Sequence, residues 1–402
     1  MSWFDGAGLG MFIHWDHASQ QGLEVSWPLV GGVFSLPFGR AVSVEQYHSS
    51  AATFDPDAFD APGLARLAKA AGMTYAVFTT RHHSGYSMWP TAESGFSVAM
   101  TMPGRDLVRE FVDAFRAAGL RIGFYYSLSD WSHPDYPAFG EEHKPYVFGS
   151  SPPMPDDDTW ARYLVSMREQ LTELLTGYGT IDVVWFDGGW ERPAAAWRPK
   201  ELEAHLRSLQ PQLLLNDRLP WVGDFSTPEQ FVPAEPPARA WESCLTMNES
   251  WGFNPEDHRY KSARALVHTI CEVVGRGGNL LLNVSPRGDG SLPAEQIERL
   301  EAVATWMGLH HHAVHGTTRA GDLVHLFLLA RPYDSVTVRG VPIRRIRSVS
   351  LASDGRELSH RKRCGLLDQL LADPFGELTI LVPQDAIDPS ATVITIDIAP
   401  AS

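Results

Sequence analysis

The chain is expected to fold as a (β/α)8-like, TIM-type barrel, with room for irregularity, followed by a small C-terminal β-sandwich. Three observations carry this. Short, wholly apolar runs alternate with amphipathic segments of helical length up to about residue 310. Strands apolar on both faces and separated by helices belong to a parallel sheet covered by helices. The texture changes after Gly316 into short β-type runs set off by Gly, Pro and Asp. All 13 Trp lie at or before Trp306, so composition changes near the same point. The expected division is a catalytic barrel at 1–316 and a sandwich at 317–402.

Taken in order, Gly8–Trp15 (GLGMFIHW) reads as a buried strand. A helix pattern over Gly63–Ala71 leads into the strand Thr74–Thr80. Asp106–Ala118 repeats apolar Leu107, Val108, Phe111, Ala114 and Phe115 at helical spacing, and Arg121–Ser127 follows as a strand. Trp160–Leu175 precedes Ile181–Phe186. Gln212–Leu215 leads into Asn216, and a sixth strand lies near Trp241-Glu242. Tyr260–Val274 precedes Asn279–Val284. Six or seven strands are legible. At this length a barrel is favoured over an open doubly wound sheet. The last barrel helix is expected over Ala294–Leu309, with Ser291 and Pro293 as start signals. Leu323–Leu329, Ser335–Val338, Leu378–Val382 and Val393–Ile398 are the sandwich strands.

Composition excludes several classes of function. With 402 residues and 44% hydrophobic content the chain has material for a large core, which excludes general disorder. Asp+Glu number 48 against 33 Lys+Arg, a net charge of -15. That balance argues against nucleic-acid binding and polybasic membrane binding. The start MSWFDGAGLG lacks a basic region and an apolar run, so no secretory signal is read, and no run is long enough to span a bilayer. Cys244, Cys271 and Cys364 match no zinc spacing and read as unpaired thiols in a reducing, cytoplasmic setting.

In a barrel of this kind, chemistry gathers at the C-terminal ends of the strands. The residues expected there are His14-Trp15-Asp16, Arg81-His82-His83, Tyr125-Tyr126, Asp130-Trp131, Trp185-Phe186-Asp187 and Asn216-Asp217-Arg218. Flat aromatic faces beside planar polar groups suit a sugar ring and its hydroxyls. Asp187 ends an otherwise apolar strand, and Gly188-Gly189 free the backbone for close approach; the plainer reading is a turn cap. Glycoside hydrolysis needs a second carboxyl group. Glu229, Glu235, Asp224 and Glu242 compete for it. Adjacent histidines in a strand face opposite ways, so His82 and His83 share a site only if the strand has already ended. His310-His311-His312 reads as a dipole-complementing helix end, and Arg287–Gly290 as a turn. Gly275–Gly278 lacks the Lys-Ser/Thr of a phosphate loop, so no nucleotide is expected.

In its motifs the chain resembles the α-L-fucosidases of glycoside hydrolase family 29. The stretches are GLGMFIHW, YAVFTTRHHSGYSMWP, GFYYSLSDWSHPDY, DVVWFDGGW, LLLNDR, WESCLTMNESWGFN and GGNLLLNVSPRGDGSLPAEQ, in the family's order. The resemblance implies a barrel with a C-terminal β-sandwich and retaining double displacement. It assigns Asp187 as nucleophile and Glu229, in DFSTPEQ, as general acid/base. His14, His82, His83, Tyr125 or Tyr126, Trp185 and Arg218 match positions lining the fucose pocket. Glu24 and Trp27 match a Glu-Trp pair that binds sugar hydroxyls, although the family more often places the acid directly before Trp. Asp16-His17 stand where a Gly-containing turn is commoner. The implied partner is a fucosylated oligosaccharide or glycoconjugate, and the TPEQ spelling leans toward α1,3/4 linkages. No cofactor or metal is implied.

Retention would place the two carboxyl groups about 5–5.5 Å apart. Arg218 and the aromatic wall would keep Asp187 ionised, and partial desolvation would keep Glu229 protonated. The alternatives are a metal-dependent hydrolase with His14, His82, His83 and Asp187 as ligands, a non-catalytic glycan binder, and a glycosidase for another L-galacto sugar.

Overall fold

The structure, a computed structural model, describes residues 3–30, 42–136, 153–220, 223–315 and 323–400. The expected barrel strands form at β1 (Leu9–Ile13), β2 (Tyr75–Arg81), β3 (Arg121–Ser127), β4 (Val183–Asp187), β5 (Leu214–Leu215), β6 (Glu242–Thr246) and β7 (Asn279–Val284). They make one parallel sheet in the order β5-β4-β3-β2-β1-β7-β6. Its helices are α1 (Val44–Ser49), α2 (Ala61–Ala70), α3 (Leu107–Ala117), α4 (Asp157–Gly177), α5 (Pro199–Leu209), α6 (Ala263–Gly275) and α7 (Ala294–Val314). Asp60, Asp106, Asp156 and Ser262 cap α2, α3, α4 and α6 by accepting a backbone N–H from the first turn; each such cap stabilises by about 1 kcal/mol.

Among the described residues, no helix lies between β5 and β6. The segment 224–230 fills the gap instead and takes the place of an eighth strand. Parallel bridges join Phe225 to Asn216, Ser226 to Trp241 and Glu229 to Cys244. Asp224 N donates to Leu215 O (2.7 Å) and Cys244 N to Pro228 O (3.0 Å). Pro228 has no N–H to give a ladder, so this strand is broken into single bridges. The barrel is irregular here, and this is where Glu229 sits.

Strand parity divides the core. Phe12, Tyr75, Val77, Tyr125, Val183, Trp185, Phe225, Cys244 and Leu281 form an inner cluster. Their neighbours Met11, Ile13, Phe78, Phe124, Tyr126, Phe186 and Leu282 pack outward with the helices. Gly10 is required by the inner packing: a Cβ there would lie 2.4 Å from the Tyr75 ring.

The C-terminal strands are β8 (Leu323–Leu328), β9 (Ser335–Pro342), β10 (Ile346–Leu351), β11 (His360–Arg363), β12 (Phe375–Leu381) and β13 (Thr392–Ile398). They form two three-stranded antiparallel sheets, β10-β13-β8 and β11-β12-β9. β10 and β11 escape the sequence reading; β11 is an edge strand of four basic or titratable residues and has no apolar signal. The expected boundary at Gly316 lies outside the described residues. Ala391 and Val393 join the barrel's outer core, and Trp306 Nε1 donates to Ala391 O (2.9 Å). His311 and His312 do lie in the last turn of α7, whereas His310 is buried against Trp306. Among the described residues, no helix is long and apolar enough to cross a membrane.

Candidate active site

A cavity of about 500 Å³ opens at the C-terminal mouth of the barrel, lined by His14, Trp27, His82, Tyr125, Trp185, Asp187, Arg218 and Glu229. Asp187 is the last residue of β4 and has the inward parity of Val183 and Trp185. Gly188 follows in the left-handed region at φ 75°, where a Cβ would lie 2.3 Å from Ser129 Oγ. The chain can therefore turn sharply enough to leave the Asp187 carboxyl at the cavity floor. Tyr125 OH donates to Asp187 Oδ2 (2.8 Å), and Arg218 Nη1 donates to Oδ1 (3.1 Å). Burial pushes this carboxyl up, but Arg218, His83 and Tyr125 outweigh burial and hold it below its ordinary value. Asp187 is thus kept as an anion in a largely desolvated place.

Arg218 organises the site with all three of its guanidinium nitrogens. Nη2 donates to Glu229 Oε2 at 2.6 Å and Nε to Thr227 Oγ1 at 3.2 Å. Its carbon sits 4.5 Å above the Trp185 ring centroid. One guanidinium therefore spans Asp187, on β4, and Glu229, on the broken eighth strand. Glu229 is partly buried, at the end of the broken strand. Its side chain is 37% exposed and paired with Arg218, because the broken strand holds it at the open rim.

The three histidines are buried and kept neutral. Burial pulls His14 and His83 down to about 4, and His82 well below its ordinary value. His14 Nδ1 meets Asn283 Oδ1 (2.7 Å), and the Asn283 amide donates to Trp251 O. The His14 proton therefore sits on Nδ1, and Nε2 can accept from a ligand hydroxyl. β2 ends at Arg81, so His82 and His83 need not oppose each other; their centroids are 4.1 Å apart. His82 stacks on Tyr125 at 5° and pairs with Ser26 Oγ. His83 Nε2 lies 3.9 Å from Asp187 Oδ2.

Three expected pocket residues do not line the cavity, and the first is His83, which is wholly buried with its Nδ1 on Ser127 Oγ (2.7 Å). Tyr126 points outward, since it alternates with Tyr125; its hydroxyl donates to Gln170 Oε1 on α4 (2.8 Å). Glu24 does not line the cavity. It is buried and accepts the backbone N–H groups of Trp251 (2.5 Å) and Gly252 (3.1 Å). Burial raises it to about 8, with those two bonds opposing. Trp27, by contrast, lines the cavity, its ring 5.2 Å from that of His83. Asp16 accepts from Ala18 N (2.7 Å) and so forms its turn without glycine.

The competing carboxyls also separate. Asp224 pairs with Arg207 away from the cavity. Glu242 lies inside the barrel, bonded to Tyr75 OH and to Trp185 Nε1, and supports Trp185 from below. Sequence reasoning missed Phe12, Trp190, Gln230, Cys244 and Trp251 as lining residues. Trp190 and Trp251 lie in quoted motifs, and their Trp identity was the available signal. Among the described residues, no three His, Cys, Asp or Glu are arranged to hold a metal ion.

The family model for α-L-fucosidase matches residues 1–312. The tissue α-L-fucosidase of Bos taurus is 32% identical over 340 residues, covering 79% of this chain and 69% of the relative. The structure of α-L-fucosidase isoenzyme 1 from Paenibacillus thiaminolyticus superposes with TM-score 0.84 at 32% identity, covering 99% of this chain and 98% of that one. A Bacteroides thetaiotaomicron GH29 α-L-fucosidase, solved as a trapped covalent intermediate, shares the fold with TM-score 0.83 at 24% identity, covering 99% and 95%.

Proposed function

The chain belongs to the α-L-fucosidase family of glycoside hydrolases, and we propose that Asp187 and Glu229 divide its double displacement between them. Asp187 attacks the anomeric carbon of a terminal α-L-fucosyl residue. Glu229 protonates the departing glycosidic oxygen, then as carboxylate draws a proton from water, which releases fucose with retained configuration. The observation that carries this reading is the shared guanidinium. Arg218 holds both carboxyl groups within hydrogen-bonding reach, one buried and anionic, the other at the open rim where an aglycone must leave. The covalent intermediate trapped in the Bacteroides relative supports retention.

On this reading His14 and His82 serve as neutral hydroxyl partners, His83 stands against Asp187 with Nε2 3.9 Å from its carboxylate, and Trp27 and Trp185 serve as ring faces. The catalytic unit is the barrel, residues 1–316. Residues 317–402 contribute nothing to the cavity lining among the described residues. A fucosylated oligosaccharide or glycoconjugate is the substrate class. The TPEQ spelling at Glu229 supports preference for α1,3- and α1,4-linked fucose, which a panel of linkage-defined oligosaccharides tests directly. The unpaired Cys244, Cys271 and Cys364 support a reducing compartment.

The test of the assignment is Asp187→Asn. Turnover of an aryl fucoside should fall on the order of 10³-fold or more, and a 2-fluorofucosyl probe should label the wild type at Asp187 and leave the variant unlabelled. Near-normal turnover would remove Asp187 from the role. A first-formed product of inverted configuration would remove double displacement.

A further inference from the structure

The residue after Glu229 lines the cavity without a part in the chemistry above, and its backbone is held in an unusual state. Gln230 has φ 61°, one of three non-glycine residues with positive φ among those described, the others being Val25 and Arg198. An L-residue adopts this conformation at an energetic cost, and it persists where the surroundings hold it. Two sets of bonds do so here.

The main chain on either side of Glu229 is tied to β6. Cys244 N donates to Pro228 O (3.0 Å), and Gln230 N donates to Cys244 O (3.0 Å). The Gln230 side chain is tied to the end of the same strand. Thr246 gives its hydroxyl proton to Asn248 O (2.6 Å). Its oxygen therefore accepts from Gln230 Nε2 (3.1 Å), while Thr246 N points to Gln230 Oε1 (3.4 Å). The amide thus grips the hydroxyl and the backbone N–H of a buried residue. Upstream, the Pro228 ring limits its own φ. Downstream, the left-handed turn sends Phe231 out to 56% exposure. Glu229 is left as the last residue that follows β6, at the rim of the cavity.

We propose that Gln230 is a positioning residue for Glu229. Its left-handed backbone, locked by the amide grip on Thr246, sets the direction from which the Glu229 carboxyl reaches the glycosidic oxygen. The inference rests on the reading of Glu229 as acid/base.

The experiment compares kcat/KM, which reports the glycosylation step, on two substrates. One is a fucosylated oligosaccharide, whose departure needs a proton. The other is 2,4-dinitrophenyl fucoside, whose departure does not. Gln230→Ala should lose at least tenfold more on the oligosaccharide than on the dinitrophenyl fucoside. Thr246→Val, which removes the grip from the other side, should show the same bias. Gln230→Gly, which accepts the backbone angle without strain, should lose less than Gln230→Ala on the oligosaccharide. A merely structural role would lower both substrates together, so equal losses on the two, or no loss on either, would overturn the inference. Glu229→Gln is run alongside. If it shows the leaving-group bias while the Gln230 and Thr246 variants do not, the positioning role alone falls. If Glu229→Gln lacks the bias, the acid/base reading falls and the inference with it.

Discussion

Arg218 shows how much of the site depends on one side chain. It faces Asp187, Glu229 and Thr227 with separate nitrogens and lies over Trp185. Asp187 is buried, and without its cation the low value of its carboxyl would not survive. In its proposed role Asp187 must be ionised to attack, so on that proposal its titration sets the acid limb of kcat/KM. Arg218→Met should move that limb to higher pH, by about 1–3 units, measured on an aryl fucoside whose cleavage needs little acid assistance. The same charge pairing bears on stability: a depressed carboxyl contributes above its unfolded pKa, and the contribution is lost as pH falls through the folded value. Arg218→Met should therefore destabilise at neutral pH and much less under strong acid. At this scale Asp187, Arg218 and the histidines were legible as strand-end residues. Glu24 was not, because its partners Trp251 and Gly252 are remote in sequence and only folding shows that its carboxyl group accepts their backbone N–H groups.

Within an element, parity decides which of two identical neighbours faces the cavity. Tyr125 and Tyr126 are adjacent in β3 and equally buried, but one faces Asp187 and the other Gln170. Tyr125→Phe should lower kcat/KM and raise the acid limb, since it removes a donor to Asp187. Tyr126→Phe should leave the pH profile unchanged and cost about 1–2 kcal/mol in denaturant unfolding, the price of a buried hydrogen bond. A shift of the acid limb in Tyr126→Phe, or its absence in Tyr125→Phe, would contradict the assigned faces. The sequence left the choice open because an apolar run buried on both sides carries no sign of which face is inside. The eighth strand was hidden for a different reason. Pro228 and the left-handed Gln230 break its pattern, so the segment reads as a loop even though it closes the barrel.

Across the whole molecule, burial sets two opposing families of titrating groups. Burial raises Asp16 to about 6, Glu191 and Glu242 to about 7, and Glu24 to about 8. Stability from such groups is fully present below their unfolded values and is lost as pH rises through the folded ones. Burial lowers His14 and His83 to about 4 and His17 to about 3. Their contribution is present above the unfolded value of about 6.5 and is lost as pH falls. Above about pH 6.5 only the carboxyl family acts. Stability should therefore peak near pH 6–6.5 and decline toward pH 8. Glu24→Gln should remove up to about 1.4 kcal/mol per pH unit of the alkaline slope. Urea unfolding across that range checks both statements, and a flat profile would contradict them.

The apolar runs, their helical spacers and the loss of Trp after residue 306 were enough to determine a parallel barrel followed by a β-sandwich, because burial on both faces is written directly in composition. Strand-end position was likewise enough to single out Asp187, His14 and Arg218. The tertiary structure alone decided which tyrosine enters the cavity, that Glu24 supports Trp251 instead of lining the pocket, and that Glu229 stands on a broken strand sharing a guanidinium with Asp187. Each of these depends on contacts between residues far apart in the chain, and on strand direction, which spacing along one segment does not encode.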